Sequence, residues 1–197
     1  MGLHSAIRQW NNGTVELSFP LRRSFIALPL VGDAQEKYRE IQNRLSEYEE
    51  IFRFQNPETA HLTLYFWNEL MEIEYNDVLR RVEKIVHRTP SFALHVQSAE
   101  TSIDAKTKLD RVLWLAIDRS EKLSTLKKLC PWPNPRPFSP HITIARVRKP
   151  HDFRIHKKKI MKILKNASFD ISFDRVRLYA EIDRIKQVSL RDFEFNA

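Results

Sequence analysis

The alternation His61-Leu62-Thr63-Leu64 recurs as His141-Ile142-Thr143-Ile144. Successive side chains of a strand point to opposite faces. Each tetrapeptide therefore reads as a strand with an apolar face and a face carrying His and Thr. Two such strands need two apolar faces buried and two polar faces left open. The arrangement that satisfies both is a layered fold whose polar strand faces line one cleft.

The surrounding pattern supports that reading. Ser24–Leu30 is a short apolar strand, with Pro29 marking its end. Asp33 and Glu36 resemble a capping box, and Tyr38, Ile41, Leu45, Tyr48 and Phe52 recur at helical spacing. After the Asn56-Pro57 loop comes the first His-x-Thr strand. Asn76 can cap a second helix carrying Leu79, Val82 and Val86, and Phe92, Leu94 and Val96 alternate as a strand. The order then repeats. Val112–Ile117 reads as a central strand, and Asp118 with Glu121 suggests another capping box before Leu123, Leu126 and Leu129. The second His-x-Thr strand follows, then a basic amphipathic helix over 152–165 and a strand at Phe169, Ile171 and Phe173. Two more strands are expected around Arg175–Ile182 and Gln187–Phe195.

Strand–helix–strand–helix–strand thus occurs twice, with His-x-Thr on the middle strand each time. The expected class is α+β: two lobes related by a pseudo-two-fold axis, with antiparallel sheets lining a central cleft and helices packed outside. Residues 23–197 form this single bilobal domain. Residues 1–22 are an N-terminal extension, whose Trp10-Asn11-Asn12-Gly13 is either the turn of a hairpin or part of a loosely ordered leader.

Composition narrows the chemistry. The 33 Lys and Arg exceed the 25 Asp and Glu, giving a net charge of +8, which favours an anionic partner. The three glycines, at positions 2, 13 and 32, exclude Gly-rich phosphate loops, so side chains or helix N-termini must hold any phosphate. Cys130 is the lone cysteine, which excludes an internal disulfide and a cysteine-based zinc site and fits a reducing cytoplasm. No apolar run reaches the roughly 20 residues of a membrane span, and the first residues carry no signal-peptide apolar segment. The expectation is a cytoplasmic monomer with no membrane association.

Hydrolysis of a phosphodiester needs a base for water, an acid for the leaving oxygen and donors for the negative charge. Histidine titrates near neutrality, so one imidazole can be the base and the other, protonated, the acid. Each Thr lies about 6–7 Å further along its strand and can donate to a non-bridging oxygen. All these groups come from the protein, so the scheme calls for no metal and no other cofactor. Zinc held by both histidines is the competing reading, but it lacks a third ligand at suitable spacing.

At this point the sequence resembles the 2H phosphoesterases, and within them the LigT-like RNA 2',3'-cyclic phosphodiesterases, also called 2'-5' RNA ligases. The resemblance runs over about residues 22–195. It rests on Ser24–Leu28, the two tetrapeptides, Arg111–Trp114, the block Arg136–Val147 and Val176–Tyr179. It implies metal-independent opening of a ribose 2',3'-cyclic phosphate to the 2'-phosphate, and the reverse joining of RNA ends through a 2'-5' linkage. The implied partner is RNA or a nucleotide bearing such a phosphate. His61 becomes the acid for the leaving 3'-oxygen and His141 the base, with Thr63, Thr143 and Arg146 at the phosphate. Strict alternation, however, puts Arg146 on the face opposite His141, so it reaches the cleft only if the strand bulges after Ile144. The glycines usual after the first motif and near the last strands are replaced by Phe66-Trp67-Asn68 and Glu181-Ile182-Asp183. Rim loops, and with them substrate choice, are therefore open. A small nucleotide, such as an ADP-ribose cyclic phosphate or a 2'-5' oligoadenylate, is the alternative substrate. A non-catalytic RNA-binding protein is the alternative of another class.

Three aromatics are further substrate-binding candidates. Tyr65 shares a strand face with His61 and Thr63 and either lines the cleft or serves as partner for a core polar group. Phe138, in the proline-rich stretch from Cys130 to Pro140, either stacks on a base or packs in a rigid connector, as does Trp132. Tyr179 shares a face with Arg175 and Arg177, which either track an RNA backbone or meet solvent. His156–Lys159 with Lys162 and Lys165 is either a solvated helix face or a contact for distant phosphates.

Overall fold

The computed structural model describes residues 6–10, 13–133 and 137–196. Strands β1 (Ala6–Trp10) and β2 (Gly13–Leu17) pair antiparallel, with Trp10 opposite Gly13. Asn11 and Asn12 of the expected turn lie outside the described residues. Strand β3 (Leu21–Pro29) begins within the stretch read as an extension. Leu17 and Leu21 are both buried in the main core, so the end of β2 is packed into the body of the protein.

Helix α1 (Asp33–Asn43) is capped by Gly32 rather than by the expected Asp33–Glu36 box. Gly32 has φ +55, a left-handed conformation that glycine adopts without steric cost. Its carbonyl accepts the N–H groups of Gln35 and Glu36. The apolar stripe outruns this helix. Tyr38 and Ile41 lie on α1, Tyr48 ends a 3-10 turn (Ser46–Tyr48), and Phe52 opens strand β4 (Phe52–Phe54). All of these, with Leu45, are buried. The periodicity marks core positions spread over several elements, because tertiary packing rewards burial whatever the backbone does.

A 3-10 turn (Pro57–Thr59) leads into β5 (His61–Leu70). Helix α2 (Glu72–Val86) begins after Met71, whose N–H donates to the Glu74 carboxylate at 3.0 Å. Asn76, expected as the cap, sits inside the helix and donates to the Glu72 carbonyl. Strands β6 (Phe92–Ile103) and β7 (Asp110–Ile117) precede α3 (Glu121–Leu129). Ser120, not Asp118, caps α3, its hydroxyl accepting the Leu123 N–H at 3.4 Å. Strand β8 (His141–Val147) is followed by α4 (Pro150–Ile163), with proline preset at the first helical position. Strands β9 (Phe169–Phe173), β10 (Arg175–Ile182) and β11 (Ile185–Glu194) close the fold.

Apart from β1 and β2, the described strands form one antiparallel sheet in the order β11-β10-β3-β5-β8-β7-β6-β9, with β4 on β8. The lobes in space are not the repeats in sequence. The third strand of the first repeat, β6, lies beside β7 of the second, and β10 lies beside β3. This exchange ties the halves together and keeps the pseudo-two-fold pattern. The seam is a single residue pair, Leu62 opposite Ile142. Both are fully buried. Burying such a side chain contributes about 1.5–3 kcal/mol, so packing holds the seam where backbone pairing is thin.

Helices and sheet share one core. Leu62, Leu64, Ile142 and Ile144 join Tyr38 and Ile41 of α1, Leu123 and Leu126 of α3, and Phe153 and Ile160 of α4. A separate small cluster of Phe25, Ala27 and Tyr179 lies on the other face, under His61. None of the described helices is long and apolar enough to cross a membrane.

Candidate active site

His61 and His141 open β5 and β8, one on each side of the seam. Both rings are held in the same way. His61 Nδ1 lies 2.6 Å from the Thr59 carbonyl, and His141 Nδ1 lies 2.8 Å from the Ser139 carbonyl. A carbonyl only accepts, so Nδ1 carries the proton and each neutral ring keeps Nε2 as its acceptor. Aromatic rings support both imidazoles: Phe25 at 4.6 Å and Tyr179 at 5.4 Å from His61, and Trp114 at 5.0 Å from His141. Desolvation dominates at His61 and lowers its pKa to about 4. The Thr59 carbonyl opposes this, and the charge of His141 adds to it.

The two histidines line one cavity of about 220 Å³, together with Thr63, Thr143 and Arg146. Arg146 gets there by the bulge that strict alternation required. On β7, Trp114 pairs with Thr143 but Leu113 pairs with Ala145, leaving Ile144 as the extra residue. Ile144 and Ala145 are consecutively buried, and Arg146 turns out towards the cavity. Strand β5 does the same. Ala27 pairs with Thr63 and Ile26 with Tyr65, so Leu64 is extra.

Helix side chains satisfy the carbonyls at both bulges. Lys127 of α3 donates to the Leu64 carbonyl at 2.6 Å, and its desolvated ammonium has a lowered pKa. Tyr38 of α1 donates to the Thr143 carbonyl at 2.7 Å, and the Gln42 amide stands 3.1 Å from the Ile144 carbonyl. Tyr38 and Gln42 are both buried, and burial raises the Tyr38 pKa. Each helix supports the strand that begins the other half of the site.

The β5 bulge corrects the reading of Tyr65. It does not line the two-histidine cavity. Its ring packs 4.6 Å from Trp67 and 5.5 Å from Trp132, and its hydroxyl donates to the Pro133 carbonyl. Phe66 takes the place in the cavity instead. Phe138 also lies outside it, half-buried against the core and under the Lys127 ammonium. Tyr179 is fully buried and supports the His61 ring rather than meeting solvent. Arg177 and Arg175 are engaged by Asp192, and Arg175 also by Asp174. On the basic helix, Lys157 pairs with Asp110 and Lys159 with Glu47.

Sequence reasoning missed several wall residues: Phe25, Gln55 and, at the rim, Arg23, Glu181, Lys186 and Gln187. Phe66 was within reach, since it follows His61 by the same interval as Arg146 follows His141. The rim residues carried no local signal, because they come from distant strands. Among the described residues no three His, Cys, Asp or Glu side chains converge as a metal-binding group.

Fold and site together define a bilobal protein built around two strand-borne histidines. The family model of the 2'-5' RNA ligase superfamily matches residues 31–181, and the chain belongs to that superfamily. It is 26% identical over 141 residues to the RNA 2',3'-cyclic phosphodiesterase of Methanothermobacter thermautotrophicus, covering 66% of this chain and 73% of that one. The enzyme of the same name from Thermotoga maritima is 25% identical over 169 residues, covering 80% and 86%. Among solved structures, TT0787 of Thermus thermophilus superposes with a TM-score of 0.65 at 19% identity, covering 88% of this chain and 97% of that one. LigT of E. coli, solved with 3'-AMP, superposes with a TM-score of 0.62 at 19% identity, covering 90% and 99%. At these identities the structures show the shared fold.

Proposed function

We propose that this protein opens the 2',3'-cyclic phosphate at the end of an RNA to the 2'-phosphate, without a metal. The observation that carries the reading is the matched pair of imidazoles. Each is fixed through Nδ1 to the carbonyl two residues before it, and both line one cavity with Thr63, Thr143 and Arg146. The names of the curated relatives point to the same substrate.

In this scheme water attacks phosphorus and gives its proton to Nε2 of His141. The bond to the 3'-oxygen breaks, and that oxygen takes the proton from Nε2 of His61. In-line displacement places the two oxygens on opposite sides of phosphorus, matching histidines from opposite halves. The hydroxyls of Thr63 and Thr143 and the Arg146 guanidinium stabilise the non-bridging oxygens. A 5'-hydroxyl attacking in place of water would leave a 2'-5' linkage, which is the joining reaction of the same site. Near neutral pH His61 is neutral, since its pKa lies near 4. The negative charge of the bound phosphate favours its protonated form, so the acid is charged by its own substrate.

The test is an RNA oligonucleotide with a terminal 2',3'-cyclic phosphate, incubated with EDTA and resolved for 2'- and 3'-phosphate. Turnover to the 2'-phosphate is expected, and it should be nearly abolished in His61→Ala and in His141→Ala. Activity that EDTA removes, or that survives in either variant, overturns the reading.

A further inference from the structure

Gln187 belongs to β11, which is separated from β5 by two strands of the sheet. Its side chain nonetheless holds the connection that leads into His61. Its Oε1 accepts the Thr59 hydroxyl at 2.9 Å and also accepts from the Gln55 side-chain amide. Both partners lead directly into the site. The Thr59 carbonyl accepts the proton of His61 Nδ1. The Gln55 backbone N–H donates to the Ile144 carbonyl at 2.9 Å, at the bulge that aims Arg146. One amide oxygen therefore touches the supports of both halves.

The backbone of Gln187 adds a second observation. Its φ is +61, in the left-handed region that side chains with a Cβ disfavour. The β10–β11 register slips there, with Ala180 opposite Val188 but Ile182 opposite Ile185. Glycine would take this conformation at lower cost. What glutamine adds at this position is its amide.

We propose that Gln187 is a positioning residue for His61: by holding Thr59 it keeps the imidazole in its Nδ1–H form, with Nε2 towards the scissile phosphate. The proposal rests on the two-histidine reading above. Without Gln187, the Thr59 hydroxyl keeps only the Asn56 carbonyl at 3.3 Å as acceptor. The 3-10 turn, still held by Gln35 at Pro57, loses its tie to β11, and the Thr59 carbonyl can shift beneath His61 Nδ1 and let the tautomers exchange. Misplacement of this kind slows the chemical step more than it weakens binding.

The test uses Gln187→Gly, Thr59→Val, their combination and Thr59→Ser. Glycine relieves the backbone while giving up two hydrogen bonds, so Gln187→Gly should melt close to the wild-type temperature. Its kcat should nevertheless fall roughly 10-fold or more with little change in KM. Thr59→Val should match it, the double variant should be no worse than the poorer single one, and Thr59→Ser should recover. Nitrogen NMR of the His61 ring gives a readout independent of turnover: one Nδ1–H tautomer in the wild type, a mixture in Gln187→Gly. Unchanged kcat and tautomer overturn the proposal. So does a rise in KM alone with the ring unchanged, which would make Gln187 a substrate contact. Should the wild type fail to open cyclic phosphates, the functional reading falls, and the ring spectra alone decide whether Gln187 positions His61.

Discussion

Phe66 and Arg146 occupy equivalent places in the two halves of the site, each five residues after its histidine and just beyond a bulge. The backbone is nearly symmetric there and the chemistry is not. One wall presents a half-exposed ring, stacked parallel to Phe25 at 6.5 Å, and the other a guanidinium. The β5 side therefore presents an aromatic ring where the β8 side presents a guanidinium, with Arg23 and Lys186 adding cations at the rim.

Arg146→Ala should then lower kcat/KM by roughly 10–100-fold, the loss of one charge-assisted hydrogen bond of about 1.5–3 kcal/mol. Arg146→Lys should recover only part of this, because a lysine lacks the planar fork that grips two oxygens. Steady-state kinetics on the cyclic phosphate measure both. Equal rates in the wild type and Arg146→Ala would show that the bulge is purely structural.

Tyr38→Phe keeps the ring and removes the donor to the Thr143 carbonyl. A buried carbonyl left without its donor costs about 1–3 kcal/mol. The unfolding free energy from urea titration should fall by that amount, lowering the midpoint at unchanged slope, and catalysis should weaken because Thr143 shares the loosened segment. A variant as stable as the wild type would mean that another group reaches this carbonyl.

Acid should destabilise the fold through His61. Its folded pKa is held near 4 by desolvation, against about 6.5 for an unperturbed imidazole. Between those values the unfolded chain binds more protons than the folded one, so stability rises with pH. The contribution is complete above about pH 6.5 and is lost as pH falls towards 4, by about 3 kcal/mol at most. Thermal unfolding over pH 4–7 should show a shallower slope in His61→Phe, which has no proton to gain. Parallel slopes in the two proteins would place the effect elsewhere.

The legible part of the site was what period-two alternation encodes: His61, Thr63, His141 and Thr143, with their apolar partners turned to the core. Arg146 was legible only conditionally, since a bulge is a property of pairing with β7 and leaves no mark in the strand's own sequence. The expectation that Tyr65 lines the cavity failed for the same reason in β5. Tyr179 was misread because the burial of a strand face depends on what crosses above it, here His61 and Phe25. The capping residues failed locally: Gly32 and Ser120 outcompeted Asp33 and Asp118 once the exact start of each helix was set by packing. Gln187 could not be seen at all, because its role depends on a contact between strands far apart in the chain.

Phosphate binding should take up a proton at His61. Burial holds this imidazole neutral at pH 6, and an anion beside it favours the charged form. Sulfate is the suitable probe, since it is anionic and does not titrate near neutrality. Calorimetry in buffers of different ionisation heat should report proton uptake on sulfate binding at pH 6. His61→Asn should lose most of that uptake while Arg146 still attracts the anion. Uptake of the same size in His61→Asn would assign the proton to His141 and reverse the acid and base roles proposed for the pair.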